Sequence, residues 1–280
     1  MRLQRLDGTV KCQLGTLAGL VLALASIFCC APPSQAQSPE LAGIAHVAFR
    51  VTDLDKSRNF YSRLGFEEAF QLADPGKPVV SYIKVNDRQF IELYERGAES
   101  QPLGLMHVCF EANDIGSAHD FYVSKGLQPT EPKKARAGNL LMLLHDPEGQ
   151  LLEYTQYLPG SLHSEDRGKH LGEKRIAQHL ASATTAVQDS AVERAFYTAK
   201  LGFEAESPAS ARLRIAGGSG DELELVAASP ASNARITFAV TDVTKASAAL
   251  RSRGFAVRKD RGSVSVMDPD GTAVVFVLKR

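Results

Sequence analysis

The sequence predicts an α+β fold of four βαβββ units grouped in two pairs, and three observations carry that expectation. One pattern is written twice. IAHVAFRVTDLDKSRNFYSRLGF from Ile44 and LMHVCFEANDIGSAHDFYVSKGL from Leu105 align His46 with His107, Asp53 with Asp114, Phe60-Tyr61 with Phe121-Tyr122 and Gly65 with Gly126, each pair 61 residues apart. The offset holds downstream, where Glu92 in FIELYE falls on Glu153 in LLEYTQ. Weaker copies return near Thr185 and Ala234 after a polar interruption.

Within the first copy, Ile44 to Val51 is rich in β-branched residues and alternates as a strand. Thr52-Asp53 then offers a helix cap, and Leu54 to Leu64 runs at helical period up to Gly65. Strand-like runs follow at Phe66 to Leu72, Val79 to Val85 and Gln89 to Glu95, separated by Asp74-Pro75-Gly76 and Asn86-Asp87. The second copy predicts a strand at Leu105 to Ala112, a helix at Ile115 to Lys125, and strands near Gln128 to Thr130, Asn139 to Leu144 and Gln150 to Tyr157. Pro159, Gly160, Gly168 and Gly172 then mark residues 159–176 as a linker. Domains are therefore expected at 43–158 and 177–280.

Residues 1–36 read as a signal peptide. Arg2, Arg5 and Lys11 supply the positive region, Leu14 to Phe28 the apolar run, and Ser34-Gln35-Ala36 the small residues before cleavage. Cleavage would make the mature chain periplasmic or secreted and leave Cys109 as its one cysteine, so stability must come from a core and not from disulfides. The chain balances 32 basic against 32 acidic residues, which argues against a nucleic acid or anionic membrane as partner.

The strand-borne His residues, the TDLDKSRNFYSRLGF helix and the DPEGQLLEY hairpin together resemble the vicinal oxygen chelate superfamily, which includes glyoxalase I, extradiol dioxygenases, an epimerase and drug-resistance proteins. The resemblance runs from about Gly43 to the end of the chain. It implies that two units pair into an open barrel with helices outside, around a metal held by the first and fourth strands of each unit. Carried over residue by residue, it implies His46, Glu92, His107 and Glu153 as ligands of one divalent ion. Two imidazoles and two carboxylates suit Fe, Mn, Co, Ni or Zn and leave room for a bidentate substrate.

The third and fourth units lack this set. The equivalent positions hold Ser182, Glu224, Arg235 and Val275, so the C-terminal pair is expected to be metal-free, serving as a packing partner or lid. Because units one and two alone carry a full set, they are expected to pair within one chain; a homodimer that exchanges unit one for its copy would satisfy the ligands equally.

Side chains two apart on a strand share a face. Arg50 is thereby expected beside His46, Cys109 and Glu111 beside His107, Tyr94 beside Glu92, and Thr155 beside Glu153. These five are the candidate substrate-facing residues, with Arg50 and Glu111 able to form an ion pair across the barrel or Arg50 to grip an anionic group. His163, His170 and His179 read as parts of a solvated linker. Gly217-Gly218-Ser219-Gly220 reads as a hairpin turn, since no helix follows it.

Four filled ligand positions resemble the glyoxalase and epimerase branch, in which a metal carboxylate can leave the ion and move a proton on carbon. Glu153 is the first candidate for that base and Glu92 the second. The expected activity is a metal-dependent lyase or isomerase acting on a small vicinally oxygenated molecule. Extradiol dioxygenases, which use two His and one Glu around iron, and non-enzymatic drug-binding relatives are the alternatives. An exported glutathione-dependent enzyme would be badly placed for its cosubstrate.

Overall fold

The computed structural model describes residues 38–77, 79–215, 217–218, 220–228 and 234–279, and residues 36–280 form one compact unit. The signal peptide expected at residues 1–36 lies outside the described residues, as does Ser219 of the glycine-rich turn. Among the described residues, no helix is long and apolar enough to cross a membrane.

The elements follow the predicted order. Unit one contains β1 (Leu41–Val51), α1 (Leu54–Arg63), β2 (Glu67–Leu72), β3 (Val80–Lys84) and β4 (Phe90–Glu95). Unit two contains β5 (Gly104–Ala112), α2 (Ile115–Ser124), β6 (Lys133–Lys134), β7 (Leu140–His145) and β8 (Leu151–Gln156). A short helix, α3 (Leu162–Glu165), precedes unit three, which has β9 (His179–Val187), α4 (Ser190–Ala199), β10 (Glu204–Ala205), β11 (Arg212–Arg214) and β12 (Glu222–Ala227). Unit four has β13 (Arg235–Val240), α5 (Val243–Ser252), β14 (Arg258–Asp260), β15 (Ser263–Met267) and β16 (Ala273–Leu278).

Each of the four long helices starts on an aspartate, Asp53, Asp114, Asp189 or Asp242, whose side chain accepts from backbone N–H groups of the first turn. That satisfies donors the helix itself leaves unpaired. The strand expected at Gln128–Thr130 forms instead at Lys133–Lys134. Pro129 sits inside the earlier stretch and Pro132 just after it, and Thr130 joins β7 only through its own N–H and hydroxyl to Leu143.

Two eight-stranded sheets result, ordered β2-β3-β4-β1-β5-β8-β7-β6 and β10-β11-β12-β9-β13-β16-β15-β14. In each, the first strands of two consecutive units pair antiparallel at the centre: β1 with β5, and β9 with β13. Units one and two therefore close on each other within one chain.

Strand alternation sorts the side chains. Val47, Phe49, Ile91, Leu93, Val108 and Phe110 face away from the first barrel and join the helices in a single core that continues into the second pair. Phe66 meets Phe238 and Phe110 meets Phe203, each with ring centroids 5.2 Å apart. Reciprocal hairpins lock the pairs together. The Glu148 carboxylate accepts from Gln188 and Asp189 N–H ahead of α4, and Asp270 accepts from Thr52 N–H ahead of α1.

Residues 159–176 are built into this unit rather than running free. Gly65 adopts φ +89°, and a Cβ there would lie 2.4 Å from the Lys174 carbonyl oxygen, so only glycine permits the segment to cross so closely. Lys84, fully buried on β3, donates to the Asp166 carbonyl and to its carboxylate at 2.7 Å, and pairs with Asp87 at 2.9 Å. Asp87 also accepts from Gly168 N–H at 2.8 Å. His170 bonds the other Asp166 oxygen, and His179 lies 2.7 Å from the Asp221 carboxylate.

Candidate metal centre

Four strands at the centre of the first sheet bring the predicted ligands together. β1 and β5 carry His46 and His107; β4 and β8, each parallel to one of them, carry Glu92 and Glu153. All four project on the barrel face opposite the apolar core. His46 Nε2 stands 3.1 Å from His107 Nε2, 3.6 Å from Glu153 Oε1 and, through its other nitrogen, 3.3 Å from Glu92 Oε1. His107 Nε2 is 3.5 Å from Glu153 Oε2.

Burial dominates the electrostatics. Desolvation lowers the pKa of both imidazoles, that of His107 to about 4, and at His46 the neighbouring His107 and His163 rings oppose charge further. Desolvation raises both carboxyls, with Glu153 at about 7 and Glu92 pushed further up by the nearby Glu153. Two neutral imidazole nitrogens 3.1 Å apart can share one proton at most, and Nδ1 of each ring is buried without a hydrogen bond.

A divalent cation resolves that conflict. The separations among His46 Nε2, His107 Nε2 and Glu153 are near the roughly 3.0–3.4 Å that ligands bonded at about 2.1 Å keep from one another. Two overlapping sets, His46 with Glu92 and His107, and His46 with Cys109 and Glu153, have ligating atoms within 4.8 Å of one another. The residues present fit a borderline divalent ion.

The five residues expected around the ligands divide. Tyr94 donates to Glu92 Oε2 at 3.0 Å, and Cys109, fully buried, lies beside His46 and Glu153. Arg50, Glu111 and Thr155 are elsewhere. Arg50 is four residues further along β1, about 13 Å at strand rise, where it donates to the Pro102 carbonyl and borders a cleft between the two pairs with Asp146 and Val187. Glu111 pairs with Arg88 at 2.8 Å, so the expected Arg50–Glu111 ion pair does not form. Thr155 Oγ1 accepts from Asn139 and donates to the Leu140 carbonyl, tying a loop to its strand.

His163 is the residue that sequence reasoning missed. It was expected in solvent, but it is 2 % exposed and sits on α3 inside the barrel face. Its ring stacks on Tyr157 at 4.6 Å and meets the edges or faces of Phe90, Phe70 and Tyr82 at 4.9, 5.1 and 5.4 Å. Phe90 is two residues before Glu92 on β4, and Tyr82 lies directly across from Glu92 on β3, so this cage is the wall of the metal site. Neither nitrogen of His163 has a hydrogen bond, and burial lowers its pKa to about 4. The signal available in the sequence was the aromatic alternation at Phe70, Tyr82, Phe90 and Tyr94, which marks an apolar inner face in need of a cover.

A family model described as the Glyoxalase/Bleomycin resistance protein/Dioxygenase superfamily matches residues 43–154. A glyoxalase domain-containing protein, RDO1, of Mycosarcoma maydis is 28% identical over 140 residues, covering 45% of this chain and 76% of that protein. Among solved structures, the 2,3-dioxygenase LapB from Pseudomonas sp. KL28 is similar with a TM-score of 0.67 at 15% identity, over 87% of this chain and 94% of that one. A Mn(II)-bound glyoxalase from Novosphingobium aromaticivorans is similar with a TM-score of 0.63 at 14% identity, over 86% and 84%. At these identities the structural likeness concerns the fold.

Proposed function

We propose, from the membership of residues 43–154 in the glyoxalase/bleomycin resistance protein/dioxygenase superfamily, that this chain is a divalent-metal-dependent lyase or isomerase of the glyoxalase kind. Its substrate is a small molecule with neighbouring oxygens. The observation that supports this is the convergence of His46, Glu92, His107 and Glu153 in one barrel of one chain. With residues 1–36 read as an export signal, the substrate is one met in the periplasm or outside the cell.

When bound, one divalent ion supplies Lewis acidity that stabilises negative charge on a substrate oxygen. The imidazoles of His46 and His107 would hold it, and their burial favours the neutral form, with lone pairs free to ligate. Glu153 moves the proton on carbon: its side chain is 13 % exposed against 5 % for Glu92, the larger opening of the two. Glu92 is the better fixed carboxylate, accepting from the Tyr94 hydroxyl with His46 Nδ1 3.3 Å away. Tyr82, Phe90 and Tyr157 exclude water from the reacting atoms.

That engagement of Glu92 also favours a second reading. With Glu92 engaged by the Tyr94 hydroxyl, the atoms His46 Nε2, His107 Nε2 and Glu153 form a two-His, one-carboxylate set of the kind an extradiol dioxygenase uses. The experiment is metal analysis of the purified chain, followed by carbon-proton exchange of α-hydroxyketones in D2O and oxygen uptake with catechols. Exchange without oxygen that is lost in Glu153→Gln, with metal retained, supports the lyase or isomerase. Strict oxygen consumption with a catechol transfers the assignment to ring cleavage. Metal-free protein that binds ligand without turnover overturns both.

A further inference from the structure

The second barrel keeps a cavity of about 770 Å³, well within the range of small-molecule sites. Sheet register shows what has changed inside it. Arg212 faces Glu224 across β11 and β12 as Tyr82 faces Glu92 across β3 and β4. By the same register Glu222 takes the place of Phe90, and Lys279, two residues beyond Val277, takes the place of Tyr157, two beyond Thr155. Three rings that fill the first barrel are thus charged side chains in the second, and its interior is open.

The metal position has been rebuilt around a fixed cation. Arg235, equivalent to His107, donates through Nη2 to the Glu224 carboxylate and through Nε to Thr184 Oγ1 at 3.3 Å. Its Nη1 has no partner among the described residues. The cavity is lined by five cationic side chains, Arg212, Arg214, Arg235, Arg261 and Lys279, against two carboxylates, Glu222 and Glu224. Arg212 reaches Glu222 only at 3.8 Å, and the side chains of Arg261 and Lys279 have no partner among the described residues. The hydroxyls of Ser182 and Thr237 line the same space without hydrogen bonds among the described residues, beside an apolar strip of Val275 and Val277.

We propose that this second barrel is a binding site for a small organic carboxylate, separate from the metal centre. The unpaired cations Arg261 and Lys279 take the carboxylate and Arg235 Nη1 a second polar group, while the aliphatic part lies on Val275 and Val277. A guanidinium and an ammonium in a concave, partly apolar setting hold an anion more strongly than the same charges on an open surface. The valine strip favours an organic acid over an inorganic anion, which would leave that strip in contact with water.

The test is calorimetric titration of the full chain with glutarate, 1,5-pentanediol and inorganic phosphate at constant ionic strength. Glutarate is expected to bind at one site and the uncharged diol not to bind. The double variant Arg261→Ala/Lys279→Ala, which removes two solvent-accessible side chains from the cavity lining, should weaken glutarate at least tenfold, with an unchanged circular dichroism spectrum. His46→Ala should leave glutarate affinity within twofold. No heat up to about 10 mM glutarate, phosphate binding as tightly, an unaffected double variant, or loss of binding in His46→Ala would each overturn the proposal. The last would assign the anion to the metal centre.

Discussion

At register-equivalent points the first barrel holds His46, Glu92, His107 and Glu153, and the second holds Ser182, Glu224, Arg235 and Val275. One acid survives in both, and its counter-charge differs. In the first barrel Glu92 belongs to a set of buried His and Glu side chains that fits a divalent ion; in the second a guanidinium from the chain itself sits on Glu224. A carboxylate on an inner barrel wall is stabilised by nearby positive charge; in the second barrel the chain supplies it, and in the first the side chains are arranged so that a divalent ion would. The scaffold is indifferent to the choice, since strand order and central pairing are the same in both.

The largest effect is expected at the ligands. His46→Ala or Glu153→Ala should reduce bound metal from about one per chain by an affinity loss on the order of 100-fold or more, with the sheet fold intact, while Ser182→Ala changes nothing. Metal analysis after dialysis checks it, and equal stoichiometry in all three variants would remove the distinction between the barrels.

Next in size is the acid dependence of the first barrel. His163 has a pKa of about 4 in the folded chain against 6.5 as its ordinary value. Between those values the unfolded chain binds a proton that the folded chain refuses. Stability is therefore full above pH 6.5, falls as pH drops, and levels off below about 4, for a total of up to about 3 kcal/mol. His163→Phe should flatten this part of the profile in urea melts from pH 7 to 4.5; an unchanged slope would mean that His163 is not held neutral.

The second barrel should answer to its ion pair. Arg235→Met leaves Glu224 without its partner and should cost about 1–2 kcal/mol, a figure kept low because the pair is partly solvated. Adding Glu224→Gln should recover most of the loss, and failure of the double variant to recover would show that the charge pairing is incidental. Smallest of all, Arg50→Ala should change stability by less than about 0.5 kcal/mol and metal content not at all, since its side chain bonds one carbonyl at the surface.

What the sequence made legible follows from repetition and period. The 61-residue offset located the two halves of the candidate metal site, and the cap at Asp53 located the start of α1. What it concealed depends on contacts between segments far apart in the chain. His163 is buried by rings from residues 70, 82, 90 and 157, none of them in its own neighbourhood. Arg50 shares a strand with His46, but pairing irregularities at Ile44/His46 and Ala48/Phe49, with the distance along β1, carry it out of the site. Arg235 could be read as a lost ligand; that it neutralises Glu224 required the register of β12 and β13 against β9.

The strap through Lys84, Asp87 and Asp166 holds α3 and its imidazole against the wall of the metal site. A ligand too large to share that space would have to displace α3 before it reached the candidate metal centre. If opening costs about 3 kcal/mol, on the order of 1% of molecules are receptive at any moment, and a measured dissociation constant is about 100 times the intrinsic one. Association would then saturate with ligand concentration at the opening rate, and cutting the strap would tighten binding without adding a single contact.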